Sequence, residues 1–265
     1  MPISPELIFW IGLALKMALT AAAVVAVSVA VERSGPFVGA LISALPTSVG
    51  AAYVILALEQ PTQFIAAGAV GTVAITGAVS VFALIYTVLA QRYGLMISLG
   101  AATLVWFALV YAFRAFAWTP FSAFAACAAI FAFTIPLSWR YRTAGGPIKF
   151  VRNRFDIPLR ALAVAVVVAA VTAASSAIGP FAFGMLALFP IIMGSSIVII
   201  HSRVGGKAAA SMAAHAQVFL IGIALGGVAL HYLVAPIGVW LALLVALCVC
   251  LVWSGGLFLL RRRTA

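Results

Sequence analysis

Long apolar runs separated by short polar connections fill the chain almost from end to end. Windows of about 20 residues, long enough to cross a bilayer as an α-helix, recur along it. Segments such as residues 163–171 lack the two-residue alternation that strands of a membrane barrel require. The pattern predicts an all-α integral membrane protein with about nine transmembrane helices. These predicted helices cover residues 7–31, 36–58, 62–90, 94–115, 118–138, 158–178, 180–201, 207–234 and 237–260.

Composition argues against a soluble protein. Of the 265 residues, 66% are hydrophobic and 7% are charged, against roughly half and about a quarter in a soluble domain. The mean hydropathy of +1.28 leaves no stretch for a separate water-facing domain, so residues 1–265 are expected to form a single membrane domain. The cysteines lie in apolar runs without metal-ligand spacing and are expected to be packing residues: Cys127, Cys248 and Cys250.

The distribution of Lys and Arg predicts the orientation, because cytoplasmic loops carry an excess of both. With nine helices and an external N-terminus, the internal segments hold 13 of the 15 basic residues. The external segments hold only Arg114, and Lys16 lies within the first helix. Residues 1–10 contain Glu6 and no basic residue, so the first window is expected to be a permanent span and not a cleaved signal. The sequence predicts a multi-pass protein of the bacterial cytoplasmic (inner) membrane with a cytoplasmic C-terminus.

The longest connection, from Arg140 to Arg160, is strongly basic. A loop of this kind directs topology and attracts anionic lipid, and docking of a partner protein is the alternative. Because the net charge of +11 is assigned to membrane loops in this way, membrane lipids are predicted as partners and nucleic acid is not. A homodimer stays open.

An internal repeat appears when the chain is aligned with itself at an offset of 144 residues. Over residues 35–55 and 179–199, seven of 21 ungapped positions are identical, where so biased a composition gives about two by chance. The identities include rarer residue types, such as Pro46 with Pro190 and Gly50 with Gly194. Helices 1–4 and 6–9 are therefore predicted to be two copies of one unit.

The predicted helix count makes the two copies inverted. A four-helix unit returns to its starting side, and one linking helix carries the chain across before the second copy begins. The predicted units are repeat 1 at residues 7–115, a linker helix with the basic loop at residues 116–157, and repeat 2 at residues 158–260. Inverted repeats are the architecture of many secondary transporters. This inference is an analogy of fold.

The repeated motif predicts a broken helix in each copy. Pro46 and Pro190 lie near the middle of the second and seventh predicted helices, where proline removes a backbone donor and displaces a carbonyl. Two such breaks at equal depth suggest a shared polar cavity, whereas kinks that serve packing alone are the alternative. The candidate substrate-binding residues are these prolines with the glycines and hydroxyls that follow them: Pro46, Thr47, Ser48, Gly50, Pro190, Gly194, Ser195 and Ser196.

The chemistry of such a site favours an anion. Half-helices that begin after each proline would direct their N-terminal N–H groups to the membrane midplane. The four carboxylates fall in loops or at helix ends, so an acidic cage for a cation is not expected: Glu6, Glu32, Glu59 and Asp156. Lys16 is a further candidate ligand for an anionic solute, although snorkelling of its ammonium to the interface is the alternative.

Polar side chains within helices are the remaining candidates. His215 is predicted to supply any proton coupling, because histidine alone changes charge near neutral pH without special help, and hydrogen-bonded packing is the alternative. Thr72, Thr76 and Ser80 share one helix face, where they line a cavity or bond backbone carbonyls. The spacing of Gly222 and Gly226 predicts close helix contact.

The sequence therefore predicts a small secondary transporter or facilitator for an anionic or zwitterionic solute. No acid–base pair, catalytic triad, metal-ligand cluster or phosphate loop appears in it. An enzyme is not expected, and no cofactor or metal is predicted. The alternatives are a non-transporting membrane subunit or assembly scaffold and a lipid translocase.

Overall fold

A computed structural model describes residues 46–142 and 174–264, together with the isolated positions 18, 22, 158, 162, 165, 166, 169 and 170. The described residues form helices and no strand. In chain order the helices are α1 Thr47–Leu56, α2 Thr62–Leu89, α3 Leu95–Phe113, α4 Pro120–Trp139, α5 Ser175–Ala187, α6 Ile191–Arg203, α7 Gly206–Ile237 and α8 Val239–Thr264.

Local sequence signals fix several of the helix starts. Pro61 immediately precedes α2 with an extended backbone, and a proline there interrupts no helical hydrogen bond. At α4, the Thr119 hydroxyl accepts from the Ser122 amide while the Ser122 hydroxyl accepts from the Thr119 amide. This reciprocal pair satisfies two amides that would otherwise lack partners. The connection before α7 turns at Gly205, whose φ of 112° favours glycine.

The centre of the bundle is an antiparallel pair, α2 and α7. At one end of the pair, the Thr87 hydroxyl donates to the Ala210 carbonyl at 3.3 Å. At the other end, His231 Nδ1 donates to the Ala66 carbonyl at 2.8 Å. Between these ends, the Ser80 hydroxyl lies 3.2 Å from the side-chain oxygen of Gln217. The sequence numbers rise along one helix as they fall along the other, so the two helices run in opposite directions.

Glycine allows α5 to approach α2 closely. A Cβ atom at Gly184 would overlap the carbonyl oxygen of Gly68, and one at Gly71 would overlap the carbonyl oxygen of Phe181. The helices therefore touch backbone to backbone, as small residues permit in membrane proteins. Thr72 fixes this crossing, because its hydroxyl donates to the Gly184 carbonyl at 3.0 Å.

The predicted contact at Gly222 and Gly226 is confirmed. A Cβ at Gly222 would press on the Trp253 ring of α8, and one at Gly226 would press on the Cys250 sulfur and the Ala246 carbonyl. The Trp253 indole also donates to the Val218 carbonyl at 2.8 Å. Helices α7 and α8 are thereby held as a close antiparallel pair.

The helices that surround α2 and α7 expose much of their apolar surface. In the most apolar window of α2, 72% of the residues are buried, against 22% in α3, 28% in α4 and 11% in α8. Their outward side chains include Leu104, Phe133 and Val252, each more than 70% exposed. An apolar exterior of this kind is what a lipid bilayer solvates.

Six described stretches are long and apolar enough to cross a membrane: Thr62–Leu89, Leu95–Phe113, Pro120–Trp139, Ala177–Arg203, Gly206–Ile237 and Val239–Leu260. A multi-pass membrane protein is therefore supported. The predicted spans at 7–31 and 158–178 lie almost wholly outside the described residues, as do the basic loop from residue 143 and the first ten residues of the span at 36–58. The count of nine stays a prediction.

The seventh predicted span, residues 180–201, differs from its prediction at its start. Its predicted start falls at a kink inside α5, where Gly179 has a φ of 78° and precedes Pro180. Within the span, α5 ends at Ala187 and α6 begins at Ile191, directly after Pro190, where the sequence predicted a break. The kink arises because Gly179 adopts a left-handed backbone and Pro180 cannot donate a hydrogen bond.

Basic residues gather at one end of the described bundle. A Cβ at Gly206 would overlap the Ala90 carbonyl, and the Ser211 hydroxyl donates to the Arg142 carbonyl at 3.0 Å. These contacts bring together the ends of α2 and α4 and the start of α7. We call this region the basic end, defined by Arg92, Arg140, Arg142, Arg203 and Lys207.

Candidate functional site

Two helices begin directly after the repeated prolines, with matching geometry. Pro46 precedes α1 with φ −75° and ψ 42°, and Pro190 precedes α6 with φ −77° and ψ 49°. In both places ψ lies outside the helical range. The Gly50 amide donates to the Pro46 carbonyl at 2.6 Å, and the Gly194 amide donates to the Pro190 carbonyl at 2.8 Å. Each proline carbonyl thus accepts the hydrogen bond of the first helical turn.

A cavity of about 260 Å³ lies beside Pro46, where α1, α2, α7 and α8 meet. A Cβ at Gly50 would meet no atom within 4 Å, so this glycine faces open space. The cavity walls are almost entirely apolar. They are formed by Pro46, Val49, Gly50, Tyr53, Val54, Thr72, Ile223, Gly226, Gly227, Leu230, Leu243, Ala246, Leu247 and Cys250.

The polar atoms of this wall form a fixed chain of hydrogen bonds. The Tyr53 hydroxyl lies 2.9 Å from the Thr72 hydroxyl, which donates to the Gly184 carbonyl. Since threonine has one hydroxyl proton, the Tyr53 hydroxyl is the donor to Thr72. The sulfur of Cys250 also donates, to the Gly222 carbonyl at 3.2 Å. Tyr53 and Thr72 therefore link α1, α2 and α5, and Cys250 links α8 to α7.

Aromatic side chains pack near both ends of α6. Trp106 is fully buried and packs edge-on against Phe189, with ring centroids 5.1 Å apart. At the other end of α6, the hydroxyl of buried Tyr86 lies 2.7 Å from His201 Nδ1. Large aromatic side chains thus occupy the space next to α6, although a Cβ at Gly194 would itself meet no atom within 4 Å.

The structure places the predicted site residues unevenly. Pro46 and Gly50 line the cavity, whereas Pro190 and Gly194 are not among the described residues that line it. Ser48 is buried and does not appear in the wall either. Lys16 and the side chain of Thr47 lie outside the described part of the chain.

The two serines of the second motif bond their own helix. The hydroxyls of Ser195 and Ser196 both donate to the Ile192 carbonyl, at 3.0 Å and 2.8 Å. Back-bonding of this kind is common for hydroxyls inside helices. Their donors are thus directed to α6 itself and not to a shared cavity.

His215 lies away from the cavity, toward the basic end. Its Nδ1 donates to the Ser211 carbonyl at 2.8 Å, and the side chain is partly buried. The nearest cavity residue on α7 is Ile223, eight positions or about 12 Å further along the axis. Ser211 also contacts the Arg142 carbonyl, so His215 is one turn from the surface that Arg142 occupies.

Sequence reasoning missed several wall residues. Val49, Tyr53 and Val54 follow Pro46 at helical spacing, so the face of α1 could have been extended from the motif. For the lining residues on α7 and α8, the sequence contained no comparable signal. Gly226 had been predicted to serve helix contact and Cys250 to serve packing. Both residues do so, and both also border the cavity.

The hydroxyls predicted on one face of α2 are all buried in helix contacts. Thr72 lines the cavity, and the Thr76 hydroxyl donates to the Thr72 carbonyl at 2.7 Å. Ser80 lies 2.6 Å from the Thr134 hydroxyl of α4. Of these three residues, only Thr72 is among the described residues that line the cavity. All three hydroxyls form hydrogen bonds within or between helices.

Among the described residues, no group of three or more His, Cys, Asp or Glu side chains could hold a metal ion. No family model matches the chain. No curated protein and no solved structure matches it either. Any functional assignment therefore depends on the geometry of the molecule itself.

Proposed function

We propose that the protein is a small secondary transporter or facilitator that works by alternating access between two inverted halves. The observation that carries this proposal is the register of the helix starts. Helices α1, α2 and α3 begin at Thr47, Thr62 and Leu95. Helices α6, α7 and α8 begin at Ile191, Gly206 and Val239. Each start in the second set follows its counterpart by 144 residues, the offset of the sequence repeat.

Hydrogen bonds between α2 and α7 support the same symmetry. In one, Thr87 donates to the Ala210 carbonyl, and in the other His231 donates to the Ala66 carbonyl. Adding 144 to position 87 gives 231, and adding 144 to position 66 gives 210. The two bonds therefore exchange under the repeat, as a twofold axis between antiparallel helices requires. An axis of this kind in the membrane plane relates the halves of many transporters.

The cavity beside Pro46 and the aromatic packing near the ends of α6 fit two conformations of one unit. The residue that corresponds to Cys250 in the other half is Trp106, and the residue that corresponds to Leu230 is Tyr86. Cys250 and Leu230 border the open cavity, whereas Trp106 and Tyr86 are fully buried near α6. In this proposal, the half with α1 is open and the half with α6 is closed. Exchange of these states would move a solute past the two broken helices.

For the orientation, we propose that the basic end is cytoplasmic, following the excess of Lys and Arg there. Arg142 also suits contact with anionic lipid. Its guanidinium lies 4.4 Å from the Trp139 ring centre, and two of its nitrogens are buried without a hydrogen-bond partner among the described residues. Burial lowers the pKa of Arg142, so a phosphate partner would offset that unfavourable effect on the charged form.

One feature favours the alternative of a lipid translocase. Val54 and Leu247, which line the cavity, are 46% and 44% exposed on the apolar exterior. The cavity therefore reaches the face that lipid would cover. The acyl chain of a lipid could therefore enter the cavity from the side.

The proposal predicts opposite movements of two equivalent helix pairs. Spin labels at Val54 and Leu247 would report the mouth of the cavity, and labels at Val198 and Thr103 would report the equivalent position in the other half. Pulsed electron–electron double resonance on the protein in nanodiscs should give two distances between the labels of each pair. A condition that raises the long-distance population of one pair should lower that of the other.

A static scaffold gives a different result. If each labelled pair shows one narrow distance in every condition, alternating access is excluded. All four labelled positions are at least partly exposed, so the labels should leave the packed core unchanged. Retained size-exclusion behaviour of the labelled proteins is the control.

We further propose that His215 provides any coupling to protons. The variant His215→Gln keeps a hydrogen-bonding side chain but cannot titrate near neutral pH. We expect the rate of solute uptake into proteoliposomes to vary with pH between 6 and 8 in the wild type and to become nearly flat in the variant. Solute binding should change by less than about twofold, since His215 lies two turns from the cavity. If the wild-type uptake rate changes neither with pH nor when the proton gradient is collapsed, the protein is a passive facilitator.

A further inference from the structure

The cavity beside Pro46 has few polar atoms, and their bonding constrains what it can hold. Among the described residues that line it, three side chains carry a polar hydrogen: Tyr53, Thr72 and Cys250. Tyr53 is 3% exposed, and Thr72 is equally buried, so neither exchanges its partner for water at low cost. The hydrogen-bond donors and acceptors that these groups present to the cavity decide which solute it binds.

Each of the three polar hydrogens is already committed. Tyr53 donates to Thr72, and Thr72 donates to the Gly184 carbonyl. Cys250 donates to the Gly222 carbonyl. The Tyr53 oxygen keeps accepting capacity, since a hydroxyl has two lone pairs and one proton. The described side chains of the wall therefore offer a solute an acceptor and no free donor.

A negatively charged solute gains no hydrogen-bond donor from the described side chains of this wall. A carboxylate only accepts hydrogen bonds, so it would lose its water and gain no donor from these side chains. A cation would find no carboxylate among the described residues that line the cavity. An uncharged solute with one N–H or O–H group meets neither penalty.

We propose that the cavity binds an uncharged, largely apolar solute about the size of one or two fused rings, with a single hydrogen-bond donor that reaches the Tyr53 oxygen. This inference rests on the proposed transport function and revises the charge predicted for its solute. The size follows from the volume of about 260 Å³, because an apolar cavity of about 150 Å³ binds benzene.

The position of the mouth agrees with such a solute. Val54 and Leu247 border the cavity and are exposed on the apolar exterior. A neutral ring compound partitions into the bilayer, so it reaches this opening without first crossing water. A small ion could not take that route at comparable cost.

The test uses three matched probes on the full-length protein. Indole is neutral and carries an N–H donor, 1-methylindole has nearly the same shape without the donor, and indole-3-carboxylate adds a negative charge. Binding is measured by thermal shift and by protection of the Cys250 thiol from N-ethylmaleimide, in a background with Cys127→Ala and Cys248→Ala. We expect indole to bind about fivefold more tightly than 1-methylindole, which corresponds to one ordinary hydrogen bond. Indole-3-carboxylate should bind least.

Two variants locate the effect. Tyr53→Phe removes the accepting oxygen but keeps the ring, so it should abolish the preference for indole over 1-methylindole while both still bind. Gly50→Leu fills the cavity and should abolish binding of both. Gly194→Leu is the matched control in the other half, where no Cβ contact is expected, and it should bind indole as the wild type does.

Several outcomes would overturn the inference. Tighter binding of indole-3-carboxylate would show that the site takes anions, while transport itself would remain supported by opposite movements of the spin-labelled pairs. Binding of indole without those movements would leave the site in place and remove the transport function. If no probe binds in nanodiscs, and one phospholipid per protein copurifies with the wild type but not with Gly50→Leu, the occupant is an acyl chain and the inference is wrong.

Discussion

Gly184→Leu is expected to prevent the protein from folding into a stable bundle. A Cβ at this position would overlap the Gly68 carbonyl oxygen and press on the Thr72 amide. These atoms belong to backbone, so the side chain cannot turn aside, and α5 must move away from α2. Separation of the two helices would also break the bond from Thr72 to the Gly184 carbonyl.

The effect should exceed that of ordinary overpacking. Extra methylene groups in a packed core typically cost 1–3 kcal/mol, and loss of the buried Thr72 partner adds about 1–3 kcal/mol. Together these are a large fraction of the stability of a typical protein, which is roughly 5–15 kcal/mol. We expect most of the variant to aggregate on fluorescence-detected size-exclusion chromatography, and the remainder to unfold at least 10 °C below the wild type.

Gly194→Leu is the matched folding control. It is the same change in a neighbouring helix, at a glycine whose Cβ would meet no atom within 4 Å. This variant should elute as a single peak and unfold within a few degrees of the wild type. A monodisperse Gly184→Leu protein with an unchanged unfolding temperature would contradict the close approach of α5 and α2.

Membrane-spanning helices could be predicted from the sequence, because they depend on local properties. Length and hydropathy define a transmembrane helix, and both are read within one window. Helix α2 was predicted at residues 62–90 and occupies Thr62–Leu89, and α7 was predicted at residues 207–234 and occupies Gly206–Ile237. The interruption between α5 and α6 was also signalled locally, since Pro190 removes a donor at a known position.

The difference between the open cavity beside Pro46 and the aromatic packing near α6 could not be predicted in the same way. The repeat aligns Cys250 with Trp106, but nothing in the alignment says that one borders empty space and the other is buried. That difference depends on how α8 meets α7 and how α3 meets Phe189, which are contacts between distant parts of the chain. The polarity of the cavity depends on the same contacts, because Tyr53 donates to a threonine 19 residues away and thereby presents an acceptor.

Gly50→Leu is expected to abolish transport while leaving the protein folded. The glycine faces the cavity, and a Cβ there would meet no atom within 4 Å, so the leucine side chain can extend into the solute's space. Leucine is also the better helix former, which adds roughly 0.5–1 kcal/mol to the stability of α1. We therefore expect an unfolding temperature equal to or above that of the wild type.

The transport measurement uses uptake into proteoliposomes of whichever solute most stabilises the wild type in a thermal-shift screen of indoles, organic acids, amino acids and nucleobases. The rate in Gly50→Leu should fall at least 100-fold. In Gly194→Leu it should fall as well, because the side chain would obstruct the equivalent half when that half opens, although solute binding to the cavity beside Pro46 should persist. Full transport in either variant would reduce the repeated proline–glycine motif to a packing feature.

A second pair of variants tests the same cavity with substitutions on α8. Cys250→Trp places in α8 the residue that the other half carries at Trp106, so the aromatic ring should fill the cavity and stop uptake. Cys248→Trp makes the same change two residues earlier, where the side chain is exposed on the apolar exterior, and uptake should continue. If both tryptophan variants transport at the wild-type rate, the solute does not pass through this cavity; if both fail although folded, the outer surface of α8 itself is required for movement.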